Sequence, residues 1–120
     1  MSGNTLHIHL IEDDLYISKA LKEKLKEFGV VSLSHDSADA EAKISSMHFD
    51  LALIDLNLNT EDLAGIKLIK EHVRRGTYVV VLSSYNDSYI TKLCYEAGCK
   101  HFIQKEDSLD EIRHIIKHYQ

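Results

Sequence analysis

Tyr78-Val79-Val80-Val81-Leu82-Ser83-Ser84 decides the fold. β-Branched residues dominate this stretch, which favours an extended strand. Its apolar residues run without alternation, so both faces of the strand need cover, as in a parallel sheet with helices on either side. Working outward, Ile66, Ile69 and Val73 fall at helical spacing before it, and Ile90, Leu93, Cys94 and Ala97 do so after it. The alternation continues in both directions. Leu6 to Ile11 reads as a strand, followed by Ile17, Leu21, Leu25 and Phe28 on one helical face. Val30 to Leu33 is a short strand. Ala40, Ile44 and Met47 mark a helix behind the capping candidates Asp36 and Ser37. Leu51 to Ile54 is a strand ending at Asp55. His101 to Ile103 is a brief last strand, and Leu109, Ile112, Ile115, Ile116 and Tyr119 line the last helix. Gly29, Gly76 and Gly98 each follow an amphipathic stretch, where a left-handed C-cap is expected. Ser108 to Glu111 is a Ser-x-x-Glu capping box. Five β-α units over residues 1–120 predict one α/β domain, either standing alone or cut from a larger protein at a domain edge.

The bulk numbers agree and exclude some functions. A chain of 120 residues, 44% hydrophobic and 28% charged, is long enough to bury one core without disulfides or metal. Its net charge of -5 provides no electrostatic footprint for nucleic acid or an anionic membrane surface. Cys94 and Cys99 lack metal-type spacing and read as small buried thiols of a reducing cytosol, so a cytoplasmic location is expected. Met1 to Thr5 is too short and polar for a signal peptide, and no apolar run is long enough to span a bilayer.

In an open parallel sheet, ligands bind beyond the carboxyl ends of the strands. Glu12, Asp13 and Asp14 follow the first strand, Asp55 the third, Ser83 and Ser84 the fourth, and Lys105 the fifth. Ionised carboxylates gathered in one pocket repel one another unless a cation joins them. Mg²⁺ suits them, because it takes oxygen ligands from carboxylates, water and phosphate. A carboxylate nucleophile, a metal and a fixed ammonium are the equipment of phosphoryl transfer.

The same residues carry a resemblance to a known family. Leu10-Ile11-Glu12-Asp13-Asp14 resembles the acidic motif that ends the first strand of receiver domains of bacterial two-component response regulators, the chemotaxis-regulator-like family. Leu53-Ile54-Asp55-Leu56 is similar to the segment around their phosphoacceptor aspartate. Val81-Leu82-Ser83-Ser84 resembles the fourth-strand switch motif. Gly98 to Lys105 resembles the segment with the switch aromatic and the lysine. The resemblance spans the whole chain in order and spacing, and it implies a doubly wound, flavodoxin-like sheet of strand order 2-1-3-4-5. It implies that Asp55 accepts the phosphoryl group and that Glu12, Asp13, Asp55 and the Asn57 backbone carbonyl hold Mg²⁺. Lys105, Ser83 and Ser84 would then contact the phosphoryl oxygens, with Ser83 and Phe102 as the switch pair. The surface of the fourth helix, fifth strand and fifth helix would change. The implied partners are a sensor histidine kinase or histidine phosphotransfer protein and an unnamed effector, with homodimerisation open to the phosphorylated form. Such a module assists its own phosphorylation and dephosphorylation and is not an enzyme for outside substrates.

The chain departs from the family in places. Glu106 stands where proline follows the lysine; a cis bond there costs about 3 kcal/mol, so a trans Lys105–Glu106 peptide is predicted. The proline expected after the phosphoacceptor strand is also missing from Leu58-Asn59-Thr60-Glu61. Ser84 replaces a commoner alanine, and Phe102 lacks the hydroxyl of the commoner tyrosine. The missing prolines lend weight to the alternative, a phosphorylation-independent pseudo-receiver that acts as an interaction module. An aspartate-based phosphatase wants a second aspartate two residues on, where Asn57 stands. A flavin module would meet repulsion between its phosphate and the acidic first loop. Asp14 reads as a helix N-cap rather than a ligand. Tyr85 and Tyr89 lie near the rim. His7 with His9, or His114 with His118, has spacing suited to Zn²⁺, but two ligands do not close a site. The expectation is a buried or partly buried His9 and solvated histidines on the last helix.

Overall fold

The computed structural model describes residues 5–56, 62–84, 87–105 and 108–119. Strands and helices alternate as β1 (Leu6–Ile11), α1 (Leu15–Leu25), β2 (Gly29–Ser34), α2 (Ser37–Ser46) and β3 (Leu51–Leu56). They continue as α3 (Asp62–Arg74), β4 (Tyr78–Ser83), α4 (Ser88–Ala97), β5 (His101–Gln104) and α5 (Ser108–Tyr119). The strands form one sheet in the order β2-β1-β3-β4-β5, with every neighbouring pair parallel. This is the doubly wound α/β arrangement that the alternation predicts.

The sheet divides the core in two. Ile54, Val79 and Val81 face α2, α3 and α4, where they meet Ile44, Ile69 and Cys94. Leu10, Leu53, Val80 and Leu82 face α1 and α5, meeting Leu25, Ile112 and Ile116. Adjacent residues of one strand point to opposite faces. Both faces are covered here, so the unbroken apolar run in β4 is physically required.

Aspartates open three helices. Asp14 accepts hydrogen bonds from the Tyr16 and Ile17 amides at 2.9 Å each, and Asp36 accepts from Asp39 N–H at 2.8 Å. Asp87 caps α4 by accepting from Tyr89 and Ile90. Asp14 is thus the cap the sequence predicts, and Asp87 is an additional one.

Several local expectations are corrected. Gly29 has no left-handed backbone, whereas Gly76 and Gly98 do, at φ 84° and 111°. Gly29 instead begins β2 opposite Leu6, and a Cβ there would lie 2.2 Å from the Leu6 carbonyl oxygen. Its role is close approach of two strands. Ile17 and Met47 are 37% and 40% exposed rather than core. Ser18 takes the buried place in α1 and donates to the Leu15 carbonyl, while Met47 is the extended C-cap of α2. Phe28 lies past the end of α1 but still packs against the core. Both edge positions of β2 are longer than expected, and β5 runs on to Gln104. The predicted trans bond at Lys105–Glu106 and the loop from Leu58 to Glu61 lie outside the described residues. So does the Ser108 side chain of the proposed capping box.

His9 is fully buried, as expected, and it does not pair with His7. Its Nδ1 lies 2.8 Å from His72 Nε2, its Nε2 lies 2.8 Å from Ser34 Oγ, and its ring stacks on Phe49. Both ring nitrogens are engaged, so a Zn²⁺ site with His7 is ruled out by this packing.

Candidate functional site

The ends of β1, β3 and β5 bring the acidic and basic groups together. Glu12 follows β1 directly, and its amide donates to Ser34 O at 3.0 Å, which extends the β1–β2 ladder by one residue. This turns the side chain inward: Glu12 is 1% exposed. Its Oε2 accepts from Asp14 N–H at 3.1 Å. Lys105, at the end of β5, reaches back with Nζ 3.0 Å from Asp55 Oδ2 and 3.1 Å from Glu12 Oε1. Asp13 is exposed at the mouth, and one carboxylate oxygen from each of Glu12, Asp13 and Asp55 lies within 4.8 Å of the others.

The electrostatics are those of a charge-crowded pocket. Burial, then the neighbouring Asp55 carboxylate, pushes the Glu12 carboxyl up from 4.5 to about 7. For Lys105, burial opposes the charge, but Asp55 and Glu12 outweigh it and hold the ammonium above its ordinary pKa. Among the described residues, buried Glu12 Oε1 has no partner in hydrogen-bond geometry, and Lys105 Nζ, 3.1 Å away, faces it as an ion pair. One ammonium therefore serves two buried carboxylates beside a third. An oxygen-only donor set with an unsatisfied buried oxygen fits a hard divalent cation.

The other predicted residues lie at the same carboxyl edge or behind it. Ser83 ends β4, 1% exposed, with Leu56 and Gln104 as its register neighbours. Ser84 follows as an exposed bend. Phe102 pairs in register with Val81, two positions behind Ser83, and packs half-buried against the α4 side of the core. Asn57 and Tyr85 lie outside the described residues. Tyr89 is 68% exposed in the first turn of α4.

A cavity of about 460 Å³ opens beside the cluster, lined by Asp13, Asp55 and Leu56, by His35 to Ala38, and by Gly65 and Leu68 of α3. Sequence reasoning passed over this second wall. The signal was available, since His35 and Asp36 follow β2 at the same carboxyl edge as the residues that were considered.

The comparison with known proteins agrees with this sheet order and with the three acids and the lysine at one edge. Residues 8–117 match the response regulator receiver domain. The chain belongs to that family. Among relatives, the receiver is 28% identical over 114 residues to the transcriptional regulatory protein CrdR of Helicobacter pylori. It is 30% identical over 115 residues to the swarming motility regulation protein RssB of Serratia marcescens. These alignments cover 93% of the receiver in each case but only 54% and 52% of the two regulators, so the chain spans about half their length. A CheY-like receiver domain from Methanospirillum hungatei superimposes with a TM-score of 0.81 at 24% identity, covering 96% of both chains. That likeness establishes the flavodoxin-like fold. Among the described residues, no helix of the receiver is long and apolar enough to cross a membrane.

Proposed function

We propose that this receiver accepts a phosphoryl group on Asp55 in a Mg²⁺-dependent transfer from the phosphohistidine of a sensor kinase or phosphotransfer protein. The observation that carries this reading is Lys105 Nζ placed 3.0 Å from Asp55 Oδ2 within the acidic cluster. An Asp55 oxygen attacks phosphorus, the phosphorus–nitrogen bond breaks, and its electron pair returns to the departing imidazole. Lys105 exchanges its contact with the carboxylate for the incoming phosphoryl oxygens, a fixed cation where negative charge concentrates. Glu12, Asp13 and Asp55 would hold Mg²⁺, together with the Asn57 carbonyl, and the ion supplies charge neutralisation between nucleophile and phosphoryl group. The Ser83 hydroxyl and Ser84 N–H are assigned to the remaining phosphoryl oxygens.

Ser83 and Phe102 lie on the same face of adjacent strands, so a Ser83 drawn toward the phosphoryl group changes the space available to Phe102. This supports a population shift at the surface of α4, β5 and α5, read by an effector or by a second copy. The donor's approach is supported by Leu15 and Tyr16, 59% and 86% exposed in the first turn of α1 beside the acidic run. The setting of such a relay is cytoplasmic, and the receiver turns over no outside substrate. The pseudo-receiver reading draws support only from the missing prolines, whereas the intact lysine–carboxylate constellation argues for chemistry.

Intact-mass measurement after incubation with acetyl phosphate and Mg²⁺ tests the proposal. One added phosphoryl group is expected, absent in Asp55→Asn and absent without Mg²⁺. A folded wild type that stays unmodified with both acetyl phosphate and a phosphorylated histidine phosphotransfer protein would sink the reading and leave the interaction module.

A further inference from the structure

The sequence holds eight histidines, and the structure sorts them by what their ring nitrogens do. His9 and His72 bond to each other in the core, and His101 Nε2 lies 2.9 Å from the Tyr78 hydroxyl. His114 and His118 are different: both are exposed, one helical turn apart on α5, with ring centroids 4.1 Å apart. His118 Nδ1 lies 2.9 Å from the His114 carbonyl oxygen. A carbonyl only accepts, so Nδ1 carries the proton, and in the neutral ring the lone pair sits on Nε2. That is the arrangement of a metal-ligating histidine, whose second nitrogen donates to a backbone carbonyl and so fixes tautomer and orientation.

We propose that His114 and His118 form a two-imidazole site for a late first-row divalent cation such as Zn²⁺, distinct from the acidic cluster at Asp55. The surroundings favour it. The buried stripe of α5 is Ile112, Ile115 and Ile116, so neither imidazole is needed for the core. Arg113 is drawn to Glu27, 3.6 Å away on the α1 side. The site occupies the last turns of α5, where the carbonyl end of the helix dipole attracts a cation. Ligand type separates the two sites: imidazole nitrogen suits zinc, copper and nickel, while Mg²⁺ prefers the carboxylates. With two protein ligands the remaining positions go to water, so the ion is exchangeable rather than structural.

The test is calorimetric titration of the full chain with Zn²⁺ in excess Mg²⁺, which keeps the acidic cluster occupied. Wild type, His114→Ala, His118→Ala and Asp55→Asn are compared, with circular dichroism as a check on folding. One Zn²⁺ per chain is expected, weakened by at least about tenfold in each histidine variant and unchanged in Asp55→Asn. Electron paramagnetic resonance of the Cu²⁺-loaded chain should count two nitrogen ligands in wild type and fewer in either histidine variant. Equal Zn²⁺ affinity in wild type and both histidine variants overturns the proposal. So does a binding event lost only in Asp55→Asn, which would place the ion in the acidic cluster.

Discussion

His9 and His72 meet in the buried core. His9 Nε2 lies 2.8 Å from Ser34 Oγ, and His9 Nδ1 lies 2.8 Å from His72 Nε2. The His9–His72 contact needs a proton on one nitrogen and a lone pair on the other, so the two rings cannot both be charged. Burial, with smaller contributions from nearby cations, lowers His9 from 6.5 to about 3 and His72 to about 4. The unfolded chain takes up these protons near pH 6.5 while the folded protein refuses them. The stability they contribute is therefore complete above that pH, and it is lost as pH falls toward the folded values. Each ring loses about 1.4 kcal/mol per pH unit across that window. His72→Gln keeps an N–H donor within reach of His9 and removes one titration. In urea titrations, its stability deficit relative to wild type should shrink by about 2 kcal/mol between pH 7 and pH 5. A deficit that stays constant would mean that His72 does not resist protonation in the fold.

At the scale of elements, two glycines and one cap decide how strands and helices meet. Gly29 brings β2 against β1 at a distance where a side chain would strike the Leu6 carbonyl oxygen. Gly98 ends α4 at φ 111°, with Val73 Cγ1 2.8 Å from where a Cβ would sit. Replacing either with alanine should cost about 1–3 kcal/mol, for different reasons: overpacking at Gly29 and left-handed strain plus contact at Gly98. Asp87→Ala removes two hydrogen bonds at the start of α4 and should cost about 1 kcal/mol. Denaturant midpoints of the three variants check the order. A cap loss larger than the Gly29 loss would show that the first turn of α4 matters more to the fold than the β1–β2 pairing.

At the scale of the whole molecule, the carboxyl edge of the sheet concentrates charge that the rest of the fold must tolerate. Glu12 and Asp55 share the Lys105 ammonium beside Asp13, so a bound divalent cation would relieve repulsion present only in the folded chain. Mg²⁺ should stabilise the native state by about 2.7 kcal/mol at a hundred times its dissociation constant. Thermal melts with and without the ion measure this. The gain should largely vanish in Asp13→Asn, whose side chain is exposed and whose loss leaves the core intact. An equal Mg²⁺ effect in wild type and variant would place the ion elsewhere.

The sequence alone determined the element order and which acids and lysine gather at the carboxyl edge. Both rest on signals local in the chain: the β-branched run at Val79 to Val81, the helical spacing of Ile112, Ile115 and Ile116, and an acid or lysine directly after a strand. Only the tertiary structure decided the rest, because it depends on partners distant in sequence. Gly29 reads as a helix cap until Leu6 is seen opposite it. Ile17 reads as core until α1 settles with Ser18 inward. His9 finds its partner 63 residues away in His72. Lys105 becomes the counter-charge of both Asp55 and Glu12 only when β5 and β1 lie in one sheet with β3 and β4 between them. Periodicity records which face of an element turns inward, but the geometry of packing decides what each side chain meets there.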